Sequence, residues 1–209
     1  MAKIAVYLFA PAFGKRYREG MASTPQTTEH GLSKFHRLLL DQGRHEFTAS
    51  QQYVALAAWF DDRHLPQLAR IFYRQSLEER DHAMMIVRYL LDRDVPTSIP
   101  RVDEIQNDFD APRDLVALAL AQEQRVTEQF HVLQRVAREE NDYTGEQFLQ
   151  WFLSEQVEEE HKMSTILAVL DRAAGGSLFE VETWLAREMP DETGGDAEAP
   201  ETAGPALTV

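Results

Sequence analysis

The chain has 209 residues and a formal net charge of −14 at pH 7, and 44% of its residues are hydrophobic. It contains no cysteine, which excludes disulfides, thiolate metal sites, iron–sulfur clusters and cysteine nucleophiles. The acidic charge disfavours nucleic acid and anionic membrane as partners and favours attraction of cations. No apolar run approaches the roughly 20 residues that span a bilayer, so we expect one domain with tails and no membrane partner.

The two ends of the chain differ in composition from its middle. Residues 1–30 are expected to form an N-terminal extension that is disordered or missing from the mature protein. The apolar stretch 4–13 faintly resembles a signal peptide, but no clear small-residue cleavage site follows it. A leader, or translation from Met21, is the preferred explanation. Residues 190–209 are rich in Gly, Pro, Glu and Thr and predict a disordered acidic tail, which leaves 31–189 as the folded domain.

Apolar residues recur at helical spacing in four long segments and one short one, and no stretch shows strand alternation. Ser33 and Asp110 are the expected N-cap residues of the first and third segments. Pro66 falls in the first turn of the second segment. We therefore predict an all-α fold with helices over about 33–60, 65–93, 111–139, 144–172 and 177–188.

The connections between these segments predict the topology. The short connections 61–64 and 140–143 indicate two antiparallel hairpins. The connection 94–110 is far longer than a usual bundle loop, and its extended length of roughly 56 Å lets the third helix begin at the opposite end of the bundle. The sequence therefore predicts a four-helix bundle with one long crossover and a short fifth C-terminal helix.

Each apolar stripe is interrupted by a carboxylate near the middle of its helix, and the predicted topology brings these interruptions to one height. Burying one unpaired carboxylate costs several kcal/mol, so four at one level require a cation. Carboxylate and imidazole donors suit iron. The candidate ligands are Glu46, Glu79, His82, Glu123 and Glu159.

Each of these residues also has an ordinary explanation when it is taken alone. A single Glu-x-x-His on a charged helix is common, and an isolated core tyrosine such as Tyr53 usually only packs. The occurrence of all these residues together at one height favours metal binding.

A second motif, Glu158-x-x-His161, is out of phase with the apolar stripe, which instead turns Gln156 and Glu159 inward. We therefore predict that His161 lies at the surface.

The four segments that carry this pattern resemble the bundle helices of bacterial non-haem ferritins, and the resemblance covers about residues 31–188. It implies a ferritin-like four-helix bundle that oxidises Fe(II) with O₂ or H₂O₂. It also implies storage of ferric mineral in a hollow cytoplasmic 24-subunit shell. The segments are HEFTASQQYVALAAWF, QSLEERDHAMMIVRYLLDRD, ALALAQEQRVTEQ and GEQFLQWFLSEQVEEE.

The same resemblance implies a di-iron centre. Glu46, Glu79 and His82 would hold the first iron. Glu79 would also bridge to the second iron, which Glu123 and in part Glu159 would hold.

Further residues are implied around these two positions. Gln156 would lie beside the centre and Tyr53 would be the tyrosine hydrogen-bonded next to it. Glu78 and Glu155 match the acids of a nearby third iron position. The resemblance implies that Tyr53, Glu79 and His82 take part in the oxidation.

Three relatives and alternatives frame this interpretation. Bacterioferritins carry a haem-ligating Met after the Glu of the second-helix motif, and here that position is Arg80, so we expect no haem. DNA-protecting mini-ferritins would lack the fifth helix. A di-iron redox enzyme acting on an organic substrate remains the alternative function.

The end of the tail, 204–209 (GPALTV), vaguely resembles peptides that dock cargo in encapsulin compartments, although a plain tail is the preferred explanation.

Overall fold

The computed structural model describes residues 31–174, 176–190 and 198–204, and within them every regular element is an α-helix. This confirms the all-α prediction. The predicted extension 1–30 lies outside the described residues, as do 191–197 and 205–209 of the predicted tail. The helices are α1 (Lys34–Asp62), α2 (Pro66–Asp92), α3 (Pro112–Glu139), α4 (Tyr143–Arg172) and α5 (Leu178–Glu188).

The helix starts follow the sequence signals at two of three places. The Ser33 hydroxyl accepts a hydrogen bond from the His36 N–H at 3.1 Å and caps α1, and Pro66 is the first residue of α2. The prediction of Asp110 as an N-cap was wrong. Ala111 occupies that position, and because it has no polar side chain, the Asp114 carboxylate reaches back and accepts from its N–H at 3.1 Å.

Two helix N-termini are also capped by carboxylates from elsewhere in the chain. Glu140, just after α3, accepts from the backbone N–H groups of Lys34 and Phe35 at 2.9 and 3.1 Å. Glu182 of α5 does the same for two N–H groups at the start of α2. A negative charge at a helix N-terminus is favourable because the unpaired N–H groups there carry positive charge. These contacts tie α5 and the α3–α4 turn to the bundle.

The predicted topology is confirmed. Helix α1 packs along α2, α3 packs along α4, and α1 also contacts α3. The connection after α2 runs along α1 in the same direction as that helix, so it carries the chain back to the far end of the bundle. In order along α1, its contacts are Thr48 with Asp103, Gln52 with Gln106 and Trp59 with Phe109.

The apolar core is divided into two clusters, one towards each end of the bundle. One cluster contains Phe60, Phe72 and the buried residues of α5. The other contains Phe35 and Phe130. Between them, every long helix contributes buried polar side chains. The fold thus places a polar layer inside an apolar bundle at mid-height.

One described part of the predicted tail contacts the bundle. The Ala203 N–H donates to the Met84 carbonyl of α2 at 3.0 Å, and Ala199 packs against the cluster that contains Phe35. Among the described residues, no helix combines the length and the apolarity needed to cross a membrane.

Candidate metal centre

The polar layer is made of the side chains that interrupt the predicted stripes. All of the mid-helix candidate ligands are buried. His161, from the second Glu-x-x-His motif that is out of phase with the apolar stripe, is exposed, as predicted. The buried residues are Glu46 of α1, Glu79 and His82 of α2, Glu123 of α3, and Gln156 and Glu159 of α4.

The α1–α2 half of the layer is already arranged like a metal site. Glu46, Glu79 and His82 each offer one ligand atom, and these three atoms lie within 4.8 Å of one another. Glu79 and His82 share a helix face because they are three residues apart, with His82 Nδ1 3.5 Å from Glu79 Oε2. Edge contacts with the rings of Trp151 and Phe152 fix the imidazole.

One oxygen of this half lacks the partner that its burial requires. Glu46 Oε1 accepts from Gln42 Nε2 at 2.7 Å. Glu46 Oε2 is buried and finds no hydrogen-bond donor within the described parts of the chain. A buried acceptor without a donor is costly, and a cation between the three ligand atoms would relieve that cost.

The α3–α4 half is held by donors of the protein itself. The Tyr53 hydroxyl donates to one oxygen of Glu123, and Gln156 Nε2 donates to the other at 3.2 Å. Glu159 Oε1 lies 2.6 Å from Lys162 Nζ, while its buried Oε2 has no donor among the described residues. These two carboxylates stand outside the compact group formed by Glu46 and its neighbours.

The two acids predicted for a third position are less buried. Glu78 pairs with Arg74 Nε at 2.9 Å and with Lys162 Nζ at 3.6 Å. Burial raises the pKa of Glu155, although His82 and Lys162 oppose that shift. Sequence reasoning missed Lys162. Its signal was available, since it follows Glu159 by three residues and therefore shares its helix face.

The comparisons with known proteins agree with this architecture. A family model for the ferritin-like domain matches residues 37–173. The chain belongs to the ferritin family. That membership supports a role in iron storage, and it confirms the resemblance found in the sequence.

Relatives and solved structures support the same assignment for this ferritin. Ferritin BfrB of Mycolicibacterium smegmatis is 58% identical over 175 residues, covering 84% of this chain and 96% of that protein. Bacterial non-heme ferritin of Staphylococcus aureus is 37% identical, covering 74% of this chain and 94% of that protein. An open-pore ferritin from Archaeoglobus fulgidus has a TM-score of 0.72 at 26% identity, covering 75% of this chain and 96% of that chain.

Burial sets the protonation of the first half of the ferritin centre. Burial, and then the charge of Glu79, raise the pKa of Glu46 well above its ordinary value. Burial alone would lower the pKa of His82. The hydrogen bond and the charge of Glu79 outweigh the effect of burial and raise this pKa to about 10. Burial likewise opposes ionisation of Glu79, yet contact with His82 lowers its pKa on balance. Glu79 and His82 therefore favour the ionised form of each other, whereas burial favours the protonated form of Glu46.

Burial also favours the protonated carboxyl groups in the second half. Burial and the neighbouring carboxylates Glu79 and Glu159 raise the pKa of Glu123 well above its ordinary value. Burial raises the pKa of Glu159 to about 7, although Lys162 opposes the shift. Burial raises the pKa of Tyr53 as well, so its hydroxyl keeps the proton that it donates to Glu123. A cation that binds here must displace protons.

Proposed function

We propose that this ferritin oxidises Fe(II) to Fe(III) at a di-iron ferroxidase centre within each subunit and stores the product as ferric mineral in a 24-subunit shell. The observation that carries the proposal is the buried layer of carboxylates. Glu46 and Glu159 each keep an oxygen without a hydrogen-bond donor among the described residues. Buried carboxylate oxygens that lack a hydrogen-bond donor fit a hard cation and little else.

The first iron would bind to Glu46, Glu79 and His82. Their ligand atoms are already close, so little reorganisation opposes binding. His82 must first lose its proton, because a metal ligand needs the neutral imidazole. Glu79 sits between the two halves and influences the pKa of Glu46 on one side and of Glu123 on the other. That position suits a carboxylate that bridges two irons.

The second iron would bind to Glu79, Glu123 and Glu159. Gln156 holds Glu123 through a hydrogen bond and would orient it towards the metal. Glu78 and Glu155, with Glu159, would form a third and weaker position on the way out of the centre. The greater exposure of Glu78 than of Glu159 agrees with an exit rather than a tight site.

The oxidation balances with two irons. Each Fe(II) gives up one electron. With uptake of two protons in either case, the two electrons reduce one O₂ to H₂O₂ or one H₂O₂ to two waters. The carboxylates favour the product because their negative charge stabilises Fe(III) more than Fe(II). Tyr53 lies next to the second position through Glu123 and would donate a hydrogen bond or an electron there.

The proposal also covers haem binding and the oligomeric state of the protein. Arg80, exposed on α2, stands where haem-binding relatives carry a Met, so the chain is proposed to bind no haem. The Staphylococcus aureus relative is itself named a non-heme ferritin. We propose a cytoplasmic homo-oligomer whose partners are Fe(II) and the oxidant. The segment 204–209, which resembles encapsulin-docking peptides, lies outside the described residues except for Gly204.

Iron loading of the purified protein tests this function. Fe(II) is added in air, ferric absorbance is followed, and the particle is sized before and after. We expect hundreds of irons per shell and loss of fast oxidation in Glu79→Ala. Glu158→Ala is the matched control, since it removes an exposed glutamate of α4. Saturation near two irons per chain in a small oligomer would instead favour the di-iron redox enzyme.

A further inference from the structure

Lys162 places a cation inside the acidic layer. Its Nζ lies 2.6 Å from Glu159 Oε1 and 3.6 Å from Glu78 Oε2. It also lies 3.4 Å from Gln75 Oε1. These oxygens come from both α2 and α4, so the ammonium bridges the two hairpins of the bundle at the height of the metal centre.

The position is one where a cation is favourable in the metal-free chain. Glu159 is only 1% exposed, and an ionised carboxylate at that depth is costly without an opposite charge. The chain has four lysines, and the other one among the described residues, Lys34, is exposed at the end of the bundle. The lysine at position 162 therefore neutralises a predicted ligand instead of covering the surface.

The ammonium is also able to leave. The Lys162 side chain is 25% exposed, and its flexible four-carbon stem lets the charged end move to water. Glu159 has no comparable freedom because it is buried. After it leaves Glu159, Lys162 stays tethered nearby and continues to repel a bound metal.

We propose that Lys162 is a tethered cation that holds Glu159, a ligand of the second metal position, until a metal displaces it from that carboxylate. This inference rests on the proposed function and deepens it. It sets an order of filling, in which the position at Glu46, Glu79 and His82 binds first and more tightly. It also gives the second position a built-in competitor, so that iron held by Glu159 is readily passed on.

Calorimetric titration of the assembled, chelator-treated protein with Zn²⁺ tests the order without any redox step. The variant is Lys162→Met, which keeps the length and apolar stem of the side chain but removes its charge. Lys34→Met is the matched control, because it makes the same change at an exposed site that pairs with Glu139 at 3.8 Å. Lys162→Arg keeps the positive charge and should restore wild-type behaviour.

The expected result is two binding steps in the wild type. In Lys162→Met the second step should tighten by about tenfold or more, with the first step unchanged and both steps unchanged in Lys34→Met. Equal second-step affinities in the wild type and Lys162→Met would overturn the inference while leaving the proposed centre intact. Absence of a two-metal site in the wild type would overturn the proposed function itself.

Thermal unfolding supplies a second reading if Lys162→Met lowers the stability of the metal-free shell. The quantity compared is the rise in melting temperature on adding Zn²⁺, within each variant. A larger rise in Lys162→Met than in the wild type supports competition between lysine and metal. An equal rise contradicts it, since a purely structural lysine would lower both melting temperatures by the same amount.

Discussion

The two halves of the metal centre differ in what they are bonded to before a metal arrives. In the α1–α2 half, the ligand atoms of Glu46, Glu79 and His82 already lie within 4.8 Å of one another. In the α3–α4 half, Glu123 is held by Tyr53 and Gln156. The difference shows that one half is preorganised by the packing of α1 against α2, whereas the other must exchange internal partners for the metal.

The largest expected effect is on metal affinity, in variants that alter one half of the centre at a time. Glu46→Ala should weaken the first metal-binding step most, because Glu46 is proposed as a ligand of the first position alone. Glu123→Ala should leave the first step within about threefold of the wild type and weaken the second by about 10- to 100-fold. Zn²⁺ titration of both variants measures the two steps. Equal damage to both steps by both variants would show that the halves act as one unit.

The pH dependence of stability tests the protonation of both halves. The pKa of Glu159 is raised from 4.5 to about 7, so its neutral form is favoured by folding. Its contribution to stability is fully present below about pH 4.5 and is lost as the pH rises through about 7. The raised pKa values of Glu46 and Glu123 act in the same direction, while Glu79, with a lowered pKa, titrates at more acidic pH.

The metal-free shell should therefore unfold at a lower temperature at about pH 8 than at about pH 5. The corresponding loss in the free energy of unfolding should be on the order of a few kcal/mol per chain. A bound metal replaces the protons, so the stabilisation by Zn²⁺ should grow over the same range. Scanning fluorimetry with and without Zn²⁺ measures both trends. A stabilisation by Zn²⁺ that does not change with pH would contradict the assignment of protonated ligands.

A smaller effect is expected where the two hairpins meet at Gly145 of α4. A Cβ at this position would lie 2.6 and 2.8 Å from the Phe35 ring atoms Cε1 and Cζ. Phe35 is fully buried, so the ring has no room to yield. Gly145→Ala should lower the free energy of unfolding by about 1–3 kcal/mol. Chemical denaturation measures the change, and metal stoichiometry should stay the same.

The smallest expected effect is a gain within the α1–α2 hairpin. Gly43 lies in α1, and a Cβ there would meet Ile86 Cγ2 at 3.6 Å, an ordinary contact. Alanine is the better helix former, so Gly43→Ala should raise stability by about 0.5–1 kcal/mol. The same denaturation experiment compares it with Gly145→Ala. A loss at Gly43 would show that this hairpin is packed as tightly as the junction between hairpins.

The fold and most of the candidate site were predictable because helical spacing alone fixes which side chains share a face. That spacing identified Glu123 and Gln156 as inward-facing and His161 as exposed. The identity of the cap at α3 was not predictable, since Asp110 and Asp114 are both plausible capping acids and only the backbone path chooses between them. The spacing of Lys162 from Glu159 was readable in the sequence, but its contact with Glu78 depends on how two hairpins meet and was not.

The most direct test of the account locates the metals. Crystals of the assembled protein are soaked anaerobically in Fe(II), and anomalous difference maps are recorded at increasing metal concentration. We expect a first peak between Glu46, Glu79 and His82, and a second, at higher concentration, beside Glu123 and Glu159. Peaks confined to the surface, with none inside the bundle, would contradict the assignment of this buried layer as the ferroxidase centre.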